Sequence, residues 1–267
     1  MRQLTIVGEK MDIENLSIKD IKNLIITTKD EDKKELWQAI KNDARKGVQA
    51  LLKAHEREEK ERLRVAALYK YEDECRTRGH KFVAGVDEVG RGPLAGPVVV
   101  SAVILPPDFF IPKLNDSKKL SESTREKLYD IILENAVAVN TAVIDEKTID
   151  RINIYQAAMN GMYQAIYGLS VKPDEVLIDA MPLDSLEIPH QSIIKGDAKS
   201  ASIAAASIVA KVTRDRMMND FDKIYPQYGF AQNKGYGTKE HVEALRKYGP
   251  CKIHRCSFEP IKSMVNF

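Results

Sequence analysis

Apolar positions recur at two different periods along this chain, and the change of period divides it. Over residues 1–71 the spacing is helical. Ser17 with Asp20 resembles a capping box, and Ile21, Leu24 and Ile25 continue an apolar stripe. From Lys33 to about Tyr71, the positions Leu36, Trp37, Ile40, Val48, Leu51, Leu52, Leu63, Val65, Ala66 and Leu68 predict one longer helix, with one glycine and no proline inside it. A polar stretch, DECRTRGH, then precedes the first strong strand, which sets the predicted boundary between a helical extension, residues 1–71, and a second domain, residues 72–267.

Beyond that boundary β-branched runs predict strands at residues 82–87, 97–105, 137–144 and 175–179, with a shorter one at 192–194. Helical spacing and start signals predict helices at residues 121–135, 146–168, 199–225 and 238–247. Strands in succession followed by strands alternating with helices indicate an α/β fold with a mixed sheet flanked by helices. The two strands that carry acids, at 82–87 and 175–179, are expected side by side, with ligands gathered near strand ends.

Composition narrows the class. A 43% hydrophobic share over 267 residues suffices for a sizeable core. The longest apolar runs, residues 97–105 and 201–212, are too short or too polar to span a bilayer, and the N-terminus lacks a signal-peptide pattern, so a soluble cytoplasmic protein is expected. Cys75, Cys251 and Cys256 are odd in number and lack metal-finger spacing, which supports neither a disulfide framework nor a structural zinc site. The net charge of +2 is uninformative, but from His190 onward 13 Lys and Arg stand against 7 Asp and Glu, making this third the basic face. The EREEKERLR run, residues 56–64, reads as a solvated helical face with i to i+4 pairs.

The chemistry lies in four acids set in apolar or pre-helical surroundings: Asp87, Glu88, Asp179 and Asp197. If they converge, their repulsion disfavours full ionisation unless cations neutralise them, and hard oxygen ligands select Mg2+ or Mn2+. Two such ions can activate water and assist the leaving oxygen of a phosphodiester. Each acid alone has a plainer reading: Asp179 ends a strand, Asp197 caps a helix, and Asp87 and Glu88 pair with Arg91. Adjacent strand residues also point to opposite faces, so a site shared by Asp87 and Glu88 requires the strand to break at Glu88 or Val89.

Gly90, Arg91 and Gly92 let backbone approach a phosphate or sugar closely, but their spacing is neither a dinucleotide fingerprint nor a Walker loop. Lys195 and Lys118 are candidate phosphate contacts, the latter in the polar loop Asn115, Asp116, Ser117, Lys118, Lys119. Arg214 and Arg216 fit either a phosphate contact or an outer helix face. Tyr236, between Gly235 and Gly237, fits an exposed ring that stacks on a sugar or base and whose hydroxyl bonds a ribose 2′-OH. His241 and His254 lie in the same region and are assigned no catalytic part.

Together these segments resemble the type 2 ribonuclease H family, in its bacterial ribonuclease HII branch, across about residues 72–262. The resemblance rests on GVDEVGRGPLAGPVV (residues 85–99), LNDSKKLS (114–121), LIDA (177–180), KGDAKSASIAAASIVAKVTRDR (195–216), YPQYGFAQNKGYGTKEH (225–241) and HRCSFEPIK (254–262). It implies a ribonuclease H-like fold, with Asp87, Glu88, Asp179 and Asp197 as the catalytic acids holding two metal ions when substrate is bound. It implies that Gly90, Arg91, Gly92 and Tyr236 recognise a ribonucleotide and its junction with DNA. The expected activity is hydrolysis of RNA in RNA/DNA hybrids and cleavage on the 5′ side of single ribonucleotides in duplex DNA, leaving 3′-hydroxyl and 5′-phosphate ends. A monomer acting on these duplexes without a membrane is expected; the alternative is a non-catalytic hybrid-binding module. The intact GRGPLAGP disfavours the ribonuclease HIII branch. The sequence departs from the family at Ala180, where glycine is common, which concerns loop geometry and not metal binding. The N-terminal helices lie outside the common catalytic unit and are expected to grasp or position DNA.

Overall fold

A computed structural model describes residues 13–265 and divides the chain after Arg64 into two compact units. In the first, α1 (Ile18–Thr27) starts at Ser17, whose hydroxyl accepts the Asp20 N–H and donates to the Asp20 carboxylate at 2.6 Å. Ile13, Ile21, Leu36, Ile40 and Val48 form this unit's core. The single long helix predicted from Lys33 is three: α2 (Asp30–Asn42), α3 (Lys46–Leu68), within which the division falls, and α4 (Lys70–Thr77). A local side-chain bond breaks the first junction, since the Arg45 N–H donates to the Asp43 carboxylate at 2.8 Å. The Arg45 guanidinium then reaches the carbonyls of Leu16 and Ile13 at 2.6 and 2.9 Å. An apolar stripe with the right period cannot reveal such a competing turn.

In the second unit the strands β1 (Val83–Val89), β2 (Val98–Ile104), β3 (Ala138–Ile144), β4 (Glu175–Asp179) and β5 (His190–Ile193) form one sheet in the order β3-β2-β1-β4-β5. β2 pairs antiparallel with β1 and β3, whereas β4 runs parallel to β1 and β5. The sheet is therefore mixed, and the two acid-bearing strands are neighbours. Between β2 and β3 lies α5 (Glu122–Asn135), capped by Ser121. The helix expected over residues 146–168 is interrupted: α6 (Glu146–Ile152) ends at Asn153, at φ 68°, and α7 (Ile154–Tyr167) begins there with the Asn153 side chain accepting the N–H groups of Tyr155 and Gln156.

The two sheet faces are covered differently. Ala84, Val86, Val176 and Ile178 pack with Ala158, Met162 and Ala165 of α7. On the other face lies α8 (Ala201–Ile224), whose first half is almost entirely buried alanine, serine and β-branched residues. Small side chains bring its backbone onto the sheet. A Cβ at Gly85 would stand 2.0 Å from the Ser202 carbonyl carbon, so β1 can touch α8 only with glycine there. The chain closes through α9 (Phe230–Asn233), α10 (Lys239–Tyr248) and α11 (Ile261–Val265), packed with the end of α8 around Met218, Tyr228, Phe230 and Leu245.

Candidate active site

Strand register builds the site. β1 and β4 are paired in parallel up to Val86 opposite Ile178, so the next residue on each strand, Asp87 and Asp179, ends the ladder side by side. Alternation puts both on the α8 face: Gly85 abuts Ser202, and Leu177 packs on Ile203 of the same helix. The third acid arrives from the far edge, where β5 passes through Lys195, at φ 58°, into a 3-10 turn (Gly196–Ala198) before α8. The Gly196 N–H donates to Asp179 Oδ1 at 2.7 Å and ties that turn to β4. One carboxylate oxygen from each of Asp87, Asp179 and Asp197 lies within 4.8 Å of the others.

Glu88 behaves otherwise. The ladder between β1 and β2 continues in regular register through Val89 opposite Val99, and the expected break at Glu88 or Val89 is absent. Regular geometry ends one residue later, at Gly90 with φ +95°. Glu88 therefore leaves β1 on the face of Ala84 and Val86, and it is not among the three acids that converge within 4.8 Å. Its Oε1 accepts Arg91 Nη1 at 3.2 Å, while its Oε2 is buried without a hydrogen-bond partner.

The electrostatics fit a cation. Burial, then Glu88 and Asp179, push the Asp87 carboxyl well above the usual carboxylate range, against the opposing influence of Ser207 and the Glu88 N–H. Burial also raises Glu88, with Arg91 opposing and Asp179 adding to the rise. Asp197 is raised by burial and by Asp116 and Asp179. Lys118 Nζ stands 3.9 Å from Asp197 Oδ2, and although burial works against its charge, Asp87, Asp197, Asp116 and Asp179 prevail and raise its pKa. A convergent carboxylate set and a buried, unpartnered Glu88 oxygen match the donor chemistry of a hard divalent ion such as Mg2+ or Mn2+.

Around these acids the remaining candidates take distinct places. Arg91 is exposed and paired with Glu88. Tyr236 is 44% exposed, and its Cε1 would lie 3.7 Å from a Cβ at Gly92, so ring and glycine backbone are in contact range. Lys195 is exposed two residues before Asp197. Arg214 is no phosphate contact: fully buried, it donates to the carbonyls of Pro97, Lys234 and Ala95 at 2.9, 2.8 and 3.0 Å. Arg216 pairs with Glu126 and lies over the Tyr129 ring.

Asp116, placed by the sequence only within the polar loop that carries Lys118, accepts the Lys118 N–H with its side chain at 2.9 Å. After burial it is also the largest influence raising Asp197, ahead of Asp179. The adjacent Ser117 hydroxyl bonds Ser207 of α8 at 2.9 Å and holds this loop over the acids.

A family model described as ribonuclease HII matches residues 84–261, and one described as the ribonuclease HII N-terminal domain matches residues 17–76. The chain belongs to the ribonuclease HII family. It is 54% identical over 86% of its length to a ribonuclease HII of Bacillus mycoides, 91% of which is covered. It is 50% identical over 95% of its length to a ribonuclease HII of Bacillus cereus strain B4264, covering 99% of that protein. Among solved structures, ribonuclease H2 from Pyrococcus horikoshii OT3 superposes with a TM-score of 0.60 at 27% identity, over 69% of this chain and 97% of that one. Membership in the ribonuclease HII family makes the protein an endoribonuclease of ribonuclease H type, and the non-catalytic alternative falls away. Among the described residues no helix is long and apolar enough to cross a membrane.

Proposed function

We propose that this ribonuclease HII hydrolyses the RNA strand of RNA/DNA hybrids and cuts on the 5′ side of single ribonucleotides in duplex DNA, leaving 3′-hydroxyl and 5′-phosphate ends. The observation that carries the reading is the convergence of Asp87 on β1, Asp179 at the end of β4 and Asp197 in the turn before α8. Their carboxylates, with Glu88 from across the strand, would hold divalent Mg2+ or Mn2+, two ions when substrate is bound. Such ions supply an activated water and stabilise charge developing on the phosphate.

The chain's own groups do the rest. Lys118, kept protonated by the surrounding acids, and the exposed Lys195 meet backbone phosphates. Gly90, Arg91 and Gly92 offer backbone without bulk to the sugar, while the Tyr236 ring, lying against Gly92, brings its hydroxyl to the 2′-OH that separates RNA from DNA. The protein works as a cytoplasmic monomer, and its N-terminal helices help position the duplex.

A duplex with one ribonucleotide, incubated with the protein and Mg2+ or Mn2+, tests this reading by mapping of the new ends. Cleavage 5′ to the ribonucleotide with a 3′-hydroxyl is expected. An intact substrate that is nevertheless bound by folded protein would refute it.

A further inference from the structure

Tyr236 and the segment of Gly90, Arg91 and Gly92 come from distant parts of the chain, yet one short C-terminal stretch holds the segment through Arg255 and reaches Tyr236 through His254 and His241. Arg255 is fully buried, and its guanidinium serves backbone carbonyls. Nη2 donates to Gly90 at 2.6 Å, Nη1 to Arg91 at 3.0 Å, and Nε and Nη2 to Gly96 at 3.0 and 2.8 Å. A free Arg would keep its charged head in water, so full burial on three carbonyls marks a bracing role.

The preceding residue holds the other half. The Cys251 N–H donates to His254 Nδ1 at 2.8 Å, which places the His254 proton on Nε2. That Nε2 donates to His241 Nε2 at 3.0 Å, so His241 carries its own proton on Nδ1. His241 Nδ1 in turn donates to the Tyr236 carbonyl at 2.8 Å, which also accepts the Thr238 N–H at 2.8 Å. Backbone groups at the two ends thus fix both tautomers. The stretch itself is pinned to the glycine-rich loop, with the Arg255 N–H on the Leu94 carbonyl at 2.9 Å and the Gly96 N–H on the Ile253 carbonyl at 2.8 Å.

We propose that His241 and Arg255 are positioning residues that fix Tyr236 against the backbone of Gly90, Arg91 and Gly92, with His254 acting only to keep the His241 proton on Nδ1, and so set the preference for a ribonucleotide over a deoxyribonucleotide. The inference rests on Tyr236 reading the ribose, as proposed above. Selectivity of this kind depends on the spacing of two groups, and a misplacement near 1 Å is enough to lose it. A plainer role exists, because both histidines also pack edge-on against aromatic rings, His254 on Tyr228 and His241 on Phe230. That role needs only the volume of the rings.

Two substitutions of one residue separate the roles. Asn has its amide where Nδ1 stands, so His241→Asn keeps a donor for the Tyr236 carbonyl and loses the link to His254. Gln has its amide where Nε2 stands, so His241→Gln keeps that link and loses the bond to Tyr236. The measurement is the ratio of dissociation constants for an all-DNA duplex and the same duplex with one ribonucleotide, taken in Ca2+ to hold off turnover. His241→Gln should lower the preference about fivefold, the loss of one hydrogen bond, and His241→Asn should leave it within about twofold. Arg255→Lys, which loses the forked geometry but keeps the charge, should lower it as well and carries the test if His241→Gln does not fold. Equal effects of Asn and Gln, or an unchanged preference in His241→Gln and Arg255→Lys, overturn the inference. Tyr236→Phe is the control: if it leaves the preference unchanged, the reading of Tyr236 itself is wrong.

Discussion

Asp87 and Glu88 are sequence neighbours that leave β1 on opposite faces of the sheet, Asp87 toward α8 with Asp179 and Asp197, and Glu88 toward Arg91. They nonetheless share one field, because Glu88 helps to raise Asp87 and Asp179 helps to raise Glu88. The adjacency places acids on both sides of the strand end without bending the strand. The turn at Gly90 then brings Arg91 back to Glu88.

This arrangement sets function against stability at Asp87. Its pKa is raised in the folded protein, so the stability it contributes is present below its unfolded value, about 3.8, and is lost as pH rises through the folded value. At pH 7 without metal the fold therefore carries the repulsion. Asp87→Asn should abolish cleavage and raise the melting temperature in EDTA by a few degrees, on the order of 1 kcal/mol. Melting curves at pH 7 with and without chelator check it; a lower melting temperature for Asp87→Asn in EDTA would contradict the argument.

Ala180 occupies a left-handed conformation at φ +52°, directly after Asp179, where a side chain is strained and glycine is not. Relief of the strain, about 1–2 kcal/mol, outweighs the added freedom that glycine gives the unfolded chain, about 0.4–1 kcal/mol. Ala180→Gly should therefore stabilise the protein by roughly 0.5–1 kcal/mol and retain activity. Urea unfolding of the two proteins measures the difference, and a loss of stability would show that the Ala180 methyl makes packing contacts worth more than the strain.

Much of this was legible before any coordinates. Asp179 stands out because three apolar strand residues lead into an acid, and Asp197 because it lies between a glycine and a run of small helical residues. β1, β2, β3 and β4 follow from β-branched runs. What the pattern could not show is side-chain competition for backbone groups. Asp43 ends α2 and Asn153 starts α7 anew through bonds that leave the apolar period intact. Arg214 reads as a phosphate contact or an outer helix face, yet carbonyls from distant loops make its burial possible, as they do for Arg255. The break expected at Glu88 assumed that both acids needed one face, and the structure instead leaves them on opposite faces, with Glu88 outside the three acids that converge.

Acid should act on the fold through His254. Burial and the neighbouring His241 push its pKa down to about 4. A folded value below the unfolded 6.5 means that the unfolded chain takes up the proton first, so stability is full above about pH 6.5 and falls as pH drops toward 4. Between pH 7.5 and 5 the loss from this group should be about 2 kcal/mol. Denaturant midpoints across that range, compared with those of His254→Gln, isolate the contribution from the carboxylates; an identical pH slope in the variant would remove it.

Glu72 fixes where the N-terminal extension can be removed. From α4 it reaches the start of α8, where its buried Oε1 accepts the Ser202 N–H at 2.8 Å and the hydroxyls of Ser200 and Ser202 at 2.6 Å each. That helix start follows Asp197 directly, so the cap helps to hold the third acid in place. Tyr69 adds a second tie through its hydroxyl, which donates to the Phe109 carbonyl at 2.7 Å. Val65 and Leu68 belong to the core of the second unit. Deleting residues 1–64 should therefore leave a folded nuclease, whereas deleting residues 1–76 should cost several kcal/mol through the lost cap and core and yield little soluble protein. If the helices position DNA, the shorter deletion should also raise the dissociation constant for a ribonucleotide-containing duplex and flatten its dependence on salt. Unchanged binding and slope in the folded truncation would remove the helices from substrate recognition, and a cooperative, fully folded product of the longer deletion would refute the role given to Glu72.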